Sequence, residues 1–327
     1  MSYAIADGSD RLLGQLGLLN MKNAITIRNV TKRFDGTVAV DDLDLSVPRG
    51  SLYGFIGPNG SGKTTTLRMI MHILLPDRGE IEVLGELGTR AAHDRVSYLP
   101  EERGLYKRMS VRRLLRYYGS LKGARQPELD REIDRWLERL GLSAWVDKKV
   151  EALSKGMAQK IQFISSVLNR PELLILDEPF SGLDPVNAEV LKDAVLDLKK
   201  EGTTVVFSTH DMGVAERLCD RIFMIFKGRK VLDGTLDEIQ SAYGYDTIRL
   251  RTDAGMNALN GLEGIEEIND QGNAQEVRWR GDPQALLETL MSRTRISHFE
   301  VARPSLHDIF VRIAAPENAP EVASLAS

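Results

Sequence analysis

Gly57-Pro58-Asn59-Gly60-Ser61-Gly62-Lys63-Thr64 follows the spacing G-x-x-x-x-G-K-[ST], and Thr65 comes next. Four residues between the outer glycines let the backbone curl until successive N–H groups point inward. The cradled group then lies beside the positive end of the following helix, which makes this a phosphate site. Lys63 would reach the outer phosphates of a nucleotide, and the Thr64 hydroxyl would ligate Mg²⁺, a hard cation that prefers oxygen donors. Asp177 follows the apolar run Leu173-Leu174-Ile175-Leu176, the Walker B arrangement in which a carboxylate at a strand end holds Mg²⁺. Glu178 stands next to it and is suited to orient and polarise an attacking water, a task worth about 10² to 10⁴ in rate. His210, at the end of another strand-like run, could reach the γ-phosphate or that water. Singly, an Asp-Glu pair also fits a solvated loop, and a lone histidine also fits a structural role.

The elements that must position these residues are legible as patterns. Apolar residues at Leu67, Ile70, Met71 and Leu74 have helical spacing, with Pro76 and Gly79 as the stop, so a helix follows the phosphate loop. The run Leu173–Leu176 does not alternate, as expected of a strand buried on both faces of a parallel sheet. Thr203–Thr209 is a second such strand. Acids and histidine therefore project from C-terminal strand ends, the edge at which open α/β sheets bind ligands. Between Pro100 and Ala152 strand signals give way to helical ones at Val111–Tyr118 and Ile133–Leu140, a helical insertion. Beyond Gly234 the character changes, and Ser241–Asp246 reads as a linker. Ile248 and Leu250, then Val277 and Trp279, alternate with arginines, and Pro283 opens a helix carrying Leu286, Leu287 and Leu290. The order strand, helix, strand, strand, helix, strand predicts a small α+β domain.

With 327 residues the chain has room for two domains, each with its own core. Its 43 Lys+Arg against 47 Asp+Glu give a net charge of −4, no general attraction to nucleic acid or anionic lipid. Apolar runs such as Ile222–Phe226 fall far short of the roughly 18 residues of a membrane span. Residues 1–20 lack the pattern of a secretory signal, which points to the cytoplasm. The single cysteine, Cys219, excludes an intrachain disulfide and reads as a packing residue. The predicted organisation is an N-terminal extension or misassigned start over 1–22, a nucleotide-binding unit over 23–240, an accessory unit over 246–315, and a loose tail over 316–327.

Further motifs fall in a recognisable order. Leu153-Ser154-Lys155-Gly156-Met157 precedes an amphipathic helix and resembles the C motif of ABC ATPases, and Ser181-Gly182-Leu183-Asp184 resembles their D-loop. Phe34 matches the aromatic on which adenine stacks, and Val96–Tyr106 matches the Q-loop region. Over about residues 23–240 the chain thus resembles a P-loop NTPase of the ABC ATPase type, with a helical subdomain at about 101–168. The resemblance implies ATP and Mg²⁺ as ligands, hydrolysis coupled to transport, and a head-to-tail homodimer or paired ATPase subunit. In that dimer Ser154 and Gly156 of one copy meet the γ-phosphate on the other.

Lys155, Met157 and Glu101 depart from the usual family residues; Glu101 replaces a glutamine but remains an oxygen donor for Mg²⁺. Together, Leu-Ser-Lys-Gly-Met and Pro-Glu-Glu-Arg-Gly-Leu-Tyr are similar to bacterial exporter ATPases of the sodium-extrusion type, which also carry a C-terminal domain. An integral membrane permease subunit is the implied partner, met peripherally at the inner face of the membrane. Between Glu101 and Arg116 six basic residues face two acids, which fits either docking to that partner or a solvated face with ion pairs. The rival reading is a soluble ABC ATPase acting on nucleic acid or ribosomes. Against it, Lys63 and Asp177 are too close for the coiled-coil insertion of repair types, and the chain holds one cassette rather than two. The accessory unit suits a regulatory or dimer-stabilising role, or plain packing.

Overall fold

The computed structural model describes residues 23–87, 94–102, 104–243, 247–270, 272 and 274–318. The expected extension over 1–22, Arg103, and the linker residues Gly244–Asp246 lie outside them. The chain divides into two units between Asp233 and Gly234.

In the first unit, β1 (Asn23–Phe34) and β2 (Thr37–Pro48) form a hairpin. Its two turn residues, Asp35 and Gly36, both have positive φ, the geometry that matches strand twist. There follow β3 (Leu52–Ile56), α1 (Lys63–Ile70), β4 (Arg78–Val83), β5 (Glu86–Leu87) and β6 (Val96–Leu99). The helical insertion supplies α2 (Val111–Leu121), α3 (Glu128–Arg139) and α4 (Lys155–Val167). Then come β7 (Leu173–Asp177), α5 (Pro185–Lys200), β8 (Thr204–Thr209), α6 (Met212–Leu218), β9 (Arg221–Phe226) and β10 (Arg229–Gly234).

The strands make two sheets, ordered β2-β1-β4-β5 and β10-β9-β3-β8-β7-β6. In the second, β9, β3, β8, β7 and β6 pair in parallel. Because side chains alternate along a strand, an apolar run feeds both faces. Leu174, Leu176, Val205 and Phe207 join a core with α2, α3, α4 and α5. Leu173, Ile175 and Val206 join a second core with the first sheet and α1. Phe207 is wholly buried, so its truncation to alanine would cost about 3–5 kcal/mol. Cys219 packs against the first of these cores and against Gly54, where any β-carbon would collide with its sulfur.

Helix α1 ends earlier than its apolar spacing predicts. His72 takes a left-handed φ of 51°, the Ile73 amide donates to the Arg68 carbonyl at 2.9 Å, and the His72 amide donates to Met69 at 3.0 Å. This is a Schellman closure without glycine, and it stops the helix before Leu74.

In the second unit, α7 (Leu236–Tyr243) occupies part of the segment read as linker. Its start is a capping box: the Thr235 amide donates to the Glu238 carboxylate at 2.8 Å, and the Glu238 amide to the Thr235 hydroxyl at 3.1 Å. Then follow β11 (Thr247–Thr252), a short 3₁₀ turn at Gly255–Leu259, β12 (Ile265–Asp270) and β13 (Gln275–Trp279). The unit closes with α8 (Pro283–Arg293), β14 (Ile296–Ala302) and α9 (Leu306–Asn318), so the segment expected to be tail begins as helix. Its remainder, 319–327, is outside the described residues. The sheet order β12-β13-β11-β14 is fully antiparallel, a split β-α-β arrangement whose core holds Ile248, Leu250, Val277, Leu286 and Leu290. Gln240 donates to the Pro304 carbonyl at 3.0 Å, and Asp237 pairs with Arg303, tying α7 to the segment before α9.

Since each unit has its own core, a chain ending at Asp233 is expected to melt cooperatively and to bind a fluorescent ATP analogue within about threefold of the full chain, because the loop and both acids lie upstream. Thermal denaturation and a fluorescence titration check this; an aggregated product or lost binding would contradict the division.

Candidate functional site

Four parallel strands deliver their C-terminal ends to one edge. β3 ends at Ile56 and runs into the glycine loop, β7 ends at Asp177, β8 ends at Thr209 beside His210, and β6 runs into Pro100-Glu101. Register makes the juxtaposition exact to the residue: Asp177 pairs with Ser208 across β7 and β8, and Ile56 with Thr209 across β3 and β8. A cleft of about 340 Å³ opens there, lined by Asn59, Gly60, Gly62, Lys63, Thr64, Thr65, Glu101 and Glu178, with Ala39 at its side.

The loop conformation depends on glycine at defined positions. Gly57 has φ 149°, and a β-carbon there would lie 2.3 Å from the Ile225 carbonyl oxygen. Gly62, at φ 112°, caps α1 from the left-handed region, and its β-carbon would lie 2.6 Å from the Ala39 carbonyl oxygen. The Lys63 ammonium is buried and donates to the carbonyls of Gly57 at 2.7 Å and Pro58 at 3.1 Å. Burial lowers its pKa, while the charges of Glu178, Asp177 and Glu101 oppose that shift.

Asp177 is buried and held from three sides. Its Oδ1 accepts from Ser208 Oγ at 2.5 Å and from Thr64 Oγ1 at 3.3 Å, and its Oδ2 accepts from the Tyr98 hydroxyl at 3.2 Å. Burial pushes the Tyr98 phenol up to about 12, with the Asp177 charge adding to the shift and Arg68 opposing it. Tyr98 thus stays a donor. Glu178 turns out of the strand at φ 50°, a left-handed conformation that costs a residue with a β-carbon about 1–2 kcal/mol. Its amide donates to Ser208 Oγ at 3.0 Å, and its Oε1 lies 3.0 Å from His210 Nδ1. The imidazole is 56% exposed against 9% for Glu178, so it stands between the acid and solvent.

The oxygens of Thr64, Asp177 and Glu101 form a donor set suited to a hard divalent cation. Eight of the residues singled out from the sequence line this cleft, and Asp177 and His210 are bonded to two of the eight, Thr64 and Glu178. Pro58 and Gly57 lie beneath it, bonded to Lys63, and Ser61 is buried behind the loop with its backbone carbonyl accepting from Gly228 at 2.9 Å. Phe34 does not line the cleft; it sits 42% exposed beside the β1–β2 turn, with Lys32 Nζ 5.4 Å from its ring centre. Ser154 and Gly156 also lie outside it. Ser154 caps α4 by accepting from the Met157 amide at 3.2 Å, and Gly156 packs near Leu183 and Asn187. Two contributors escaped the sequence reading, Tyr98 and Ser208. Tyr98 precedes Glu101 in a stretch read only for its loop, and Ser208 looks like any small residue near a strand end; only strand register singles it out.

The surface between residues 101 and 116 is less basic than its composition. Arg112 pairs with Asp134 at 2.8 Å and Arg116 with Asp130 at 2.6 Å, both across to α3. Lys107, Arg108 and Arg113 are exposed, near the clustered rings of Tyr106, Tyr117 and Tyr118.

Comparison with known proteins gives a consistent result. Residues 40–181 match the family described as ABC transporter, and residues 234–314 match the family described as ATP-binding protein DrrA1-3-like, C-terminal domain. The chain is 44% identical over 289 residues to the ABC transporter ATP-binding protein YhaQ of Bacillus subtilis (strain 168), spanning 88% of this chain and 97% of that one. It is 34% identical over 298 residues to the Nod factor export ATP-binding protein I of Burkholderia lata, with 90% and 97% covered. A solved structure described as the ATP binding subunit of an ABC transporter aligns with a TM-score of 0.64 at 30% identity, over 68% of this chain and 93% of that one.

Gly62→Ala should lose about 1–3 kcal/mol of stability and most nucleotide affinity, since both φ and the Ala39 carbonyl oppose a β-carbon. Gly60→Ala, at φ 77° but facing open space, should lose less. Urea denaturation of both variants checks the order; equal losses would contradict it.

Proposed function

Because this chain belongs to the ABC transporter ATP-binding family, we propose that it is the ATP-hydrolysing subunit of an exporter, acting on a separate membrane permease. ATP binding and ATPase activity are properties of the family. The observation that carries the residue assignments is the convergence of Lys63, Thr64 and Glu178 on one cleft, with Asp177 bonded to Thr64 and His210 to Glu178.

In this reading the loop amides from Gly57 to Thr65 cradle the phosphates and Lys63 transfers its ammonium from loop carbonyls to the β- and γ-phosphate oxygens. Thr64, Asp177 and Glu101 would hold Mg²⁺, which would offset the negative charge of the phosphates. Glu178 orients and polarises the attacking water, and His210, bonded to Glu178, steadies that acid and reaches toward the γ-phosphate. Phe34 stacks on adenine. A second copy or a paired ATPase subunit adds Ser154 and the Gly156 amide at the N-terminus of α4, where hydroxyl, N–H and helix dipole favour the γ-phosphate. ATP then joins two subunits, and hydrolysis separates them.

The exporter assignment is supported by the likeness to a Nod factor export ATP-binding protein, and no helix among the described residues is long and apolar enough to cross a membrane. The exposed Lys107, Arg108 and Arg113 beside Tyr106 and Tyr117 suit a cytoplasmic segment of the permease, holding the subunit at the inner membrane face.

Glu178→Gln should bind ATP normally while turnover falls about 10²–10⁴-fold, and should accumulate as an ATP-bound dimer. Phosphate release and size-exclusion chromatography with MgATP measure this; near-normal turnover would remove Glu178 from the role. Reversing Lys107, Arg108 and Arg113 to Glu should spare ATP binding but reduce co-purification with an integral membrane protein in mild detergent. Wild-type protein that fractionates entirely with ribosomes or nucleoid would favour the soluble alternative.

A further inference from the structure

The Walker B acids are usually described by the cations and water they face. Here the opposite side of the pair is equally organised. Ser208 is wholly buried at the end of β8 and has one hydroxyl proton. That proton is directed to Asp177 Oδ1 at 2.5 Å, which leaves the oxygen to accept, and it accepts the Glu178 amide at 3.0 Å. A single hydroxyl rotamer therefore satisfies both neighbours. The second bond matters because Glu178 lies just past the end of β7 and is left-handed, at φ 50°, so the Ser208 hydroxyl holds the backbone at the point where the chain turns out of the strand. On the other side, Tyr98 Oη donates to Asp177 Oδ2 at 3.2 Å, so the two carboxylate oxygens are gripped from opposite strands, β8 and β6.

We propose that Ser208 is a positioning residue for the ATPase reaction: its hydroxyl couples the direction of Asp177 to that of Glu178, and Tyr98 completes the grip by fixing the rotation of the Asp177 carboxylate. This rests on the reading that Asp177 serves Mg²⁺ and Glu178 serves the water. Neither positioning residue touches substrate. They act on separate properties: Tyr98 on the cation donor alone, Ser208 on the cation donor and the water-orienting acid together. Removing either hydroxyl leaves the phosphate loop and Lys63 as they are, so nucleotide binding without cation should be spared.

The test uses the full chain with Ser208→Ala and Tyr98→Phe, a fluorescent ATP analogue, EDTA, and a Mg²⁺ titration. Both variants should bind the analogue in EDTA within twofold of wild type, and both should need about 10-fold more Mg²⁺ or above to reach the Mg²⁺-saturated affinity, the scale on which outer-shell partners act. At saturating Mg²⁺, Tyr98→Phe should keep kcat near wild type, while Ser208→Ala should lose about 10–100-fold in kcat with KM for ATP little changed. Unchanged Mg²⁺ dependence in either folded variant overturns the proposal. So does equal weakening with and without Mg²⁺, which marks a merely structural role. If Ser208→Ala does not fold, the Mg²⁺ dependence of Tyr98→Phe decides the grip on Asp177. Wild-type protein that binds ATP but releases no phosphate would sink the ATPase assignment instead, and the Mg²⁺ dependence of binding would still decide the grip.

Discussion

Two carboxylates at the buried end of an apolar strand impose the constraint on which the first unit is built. Asp177 has almost no solvent, and a buried charge without donors is strongly unfavourable. The two neighbouring strands supply one each, Ser208 on β8 and Tyr98 on β6, and Thr64 at the start of α1 supplies a third. The parallel register that brings these donors into place is set by side chains far from the chemistry, because Leu174, Leu176, Val205 and Phe207 must face one core while Leu173, Ile175 and Val206 face the other. A slip of one residue would exchange the two faces and take Ser208 away from Asp177. Packing and chemistry are thus specified by the same ladder.

Much of this site was legible in the sequence because its parts are local. A glycine spacing needs only eight consecutive residues, and an acid after four apolar residues announces a strand end. The helices of the insertion, Val111–Leu121 and Glu128–Arg139, followed from their periodicity within a few residues. Contributions that depend on pairing were not legible. Ser208 and Tyr98 matter through strands distant in sequence, and nothing about a serine before Thr209 or a tyrosine before Leu99 distinguishes them. The early stop of α1 was hidden for another reason: His72 adopts a left-handed closure usually given to glycine. In the second unit a signal was present and passed over. Thr235 and Glu238 have the spacing of a capping box, and they begin a helix that runs into the segment read as linker.

The departures from the family pattern also find physical places. Met157 packs against the core beneath α4. Lys155 extends over the D-loop-like turn, where a β-carbon on Gly182 would lie 2.8 Å from its ammonium. Glu101 lines the cleft that Lys63 also lines, keeping an oxygen donor where an amide is usual. The basic stretch leading into and through the start of α2 divides into arginines that pin α2 to α3 and cations that remain at the surface, so composition alone overstated the charge offered to a partner.

The central claim is that this cleft directs water onto the terminal phosphate of ATP with a divalent cation in place. Hydrolysis by the purified chain in ¹⁸O-labelled water, followed by mass analysis of the released phosphate, tests it most directly. The account predicts Mg²⁺-dependent release of phosphate carrying a single solvent oxygen, abolished by EDTA. ATP recovered intact under conditions where it is shown to be bound, or phosphate released at the same rate without a divalent cation, would contradict it.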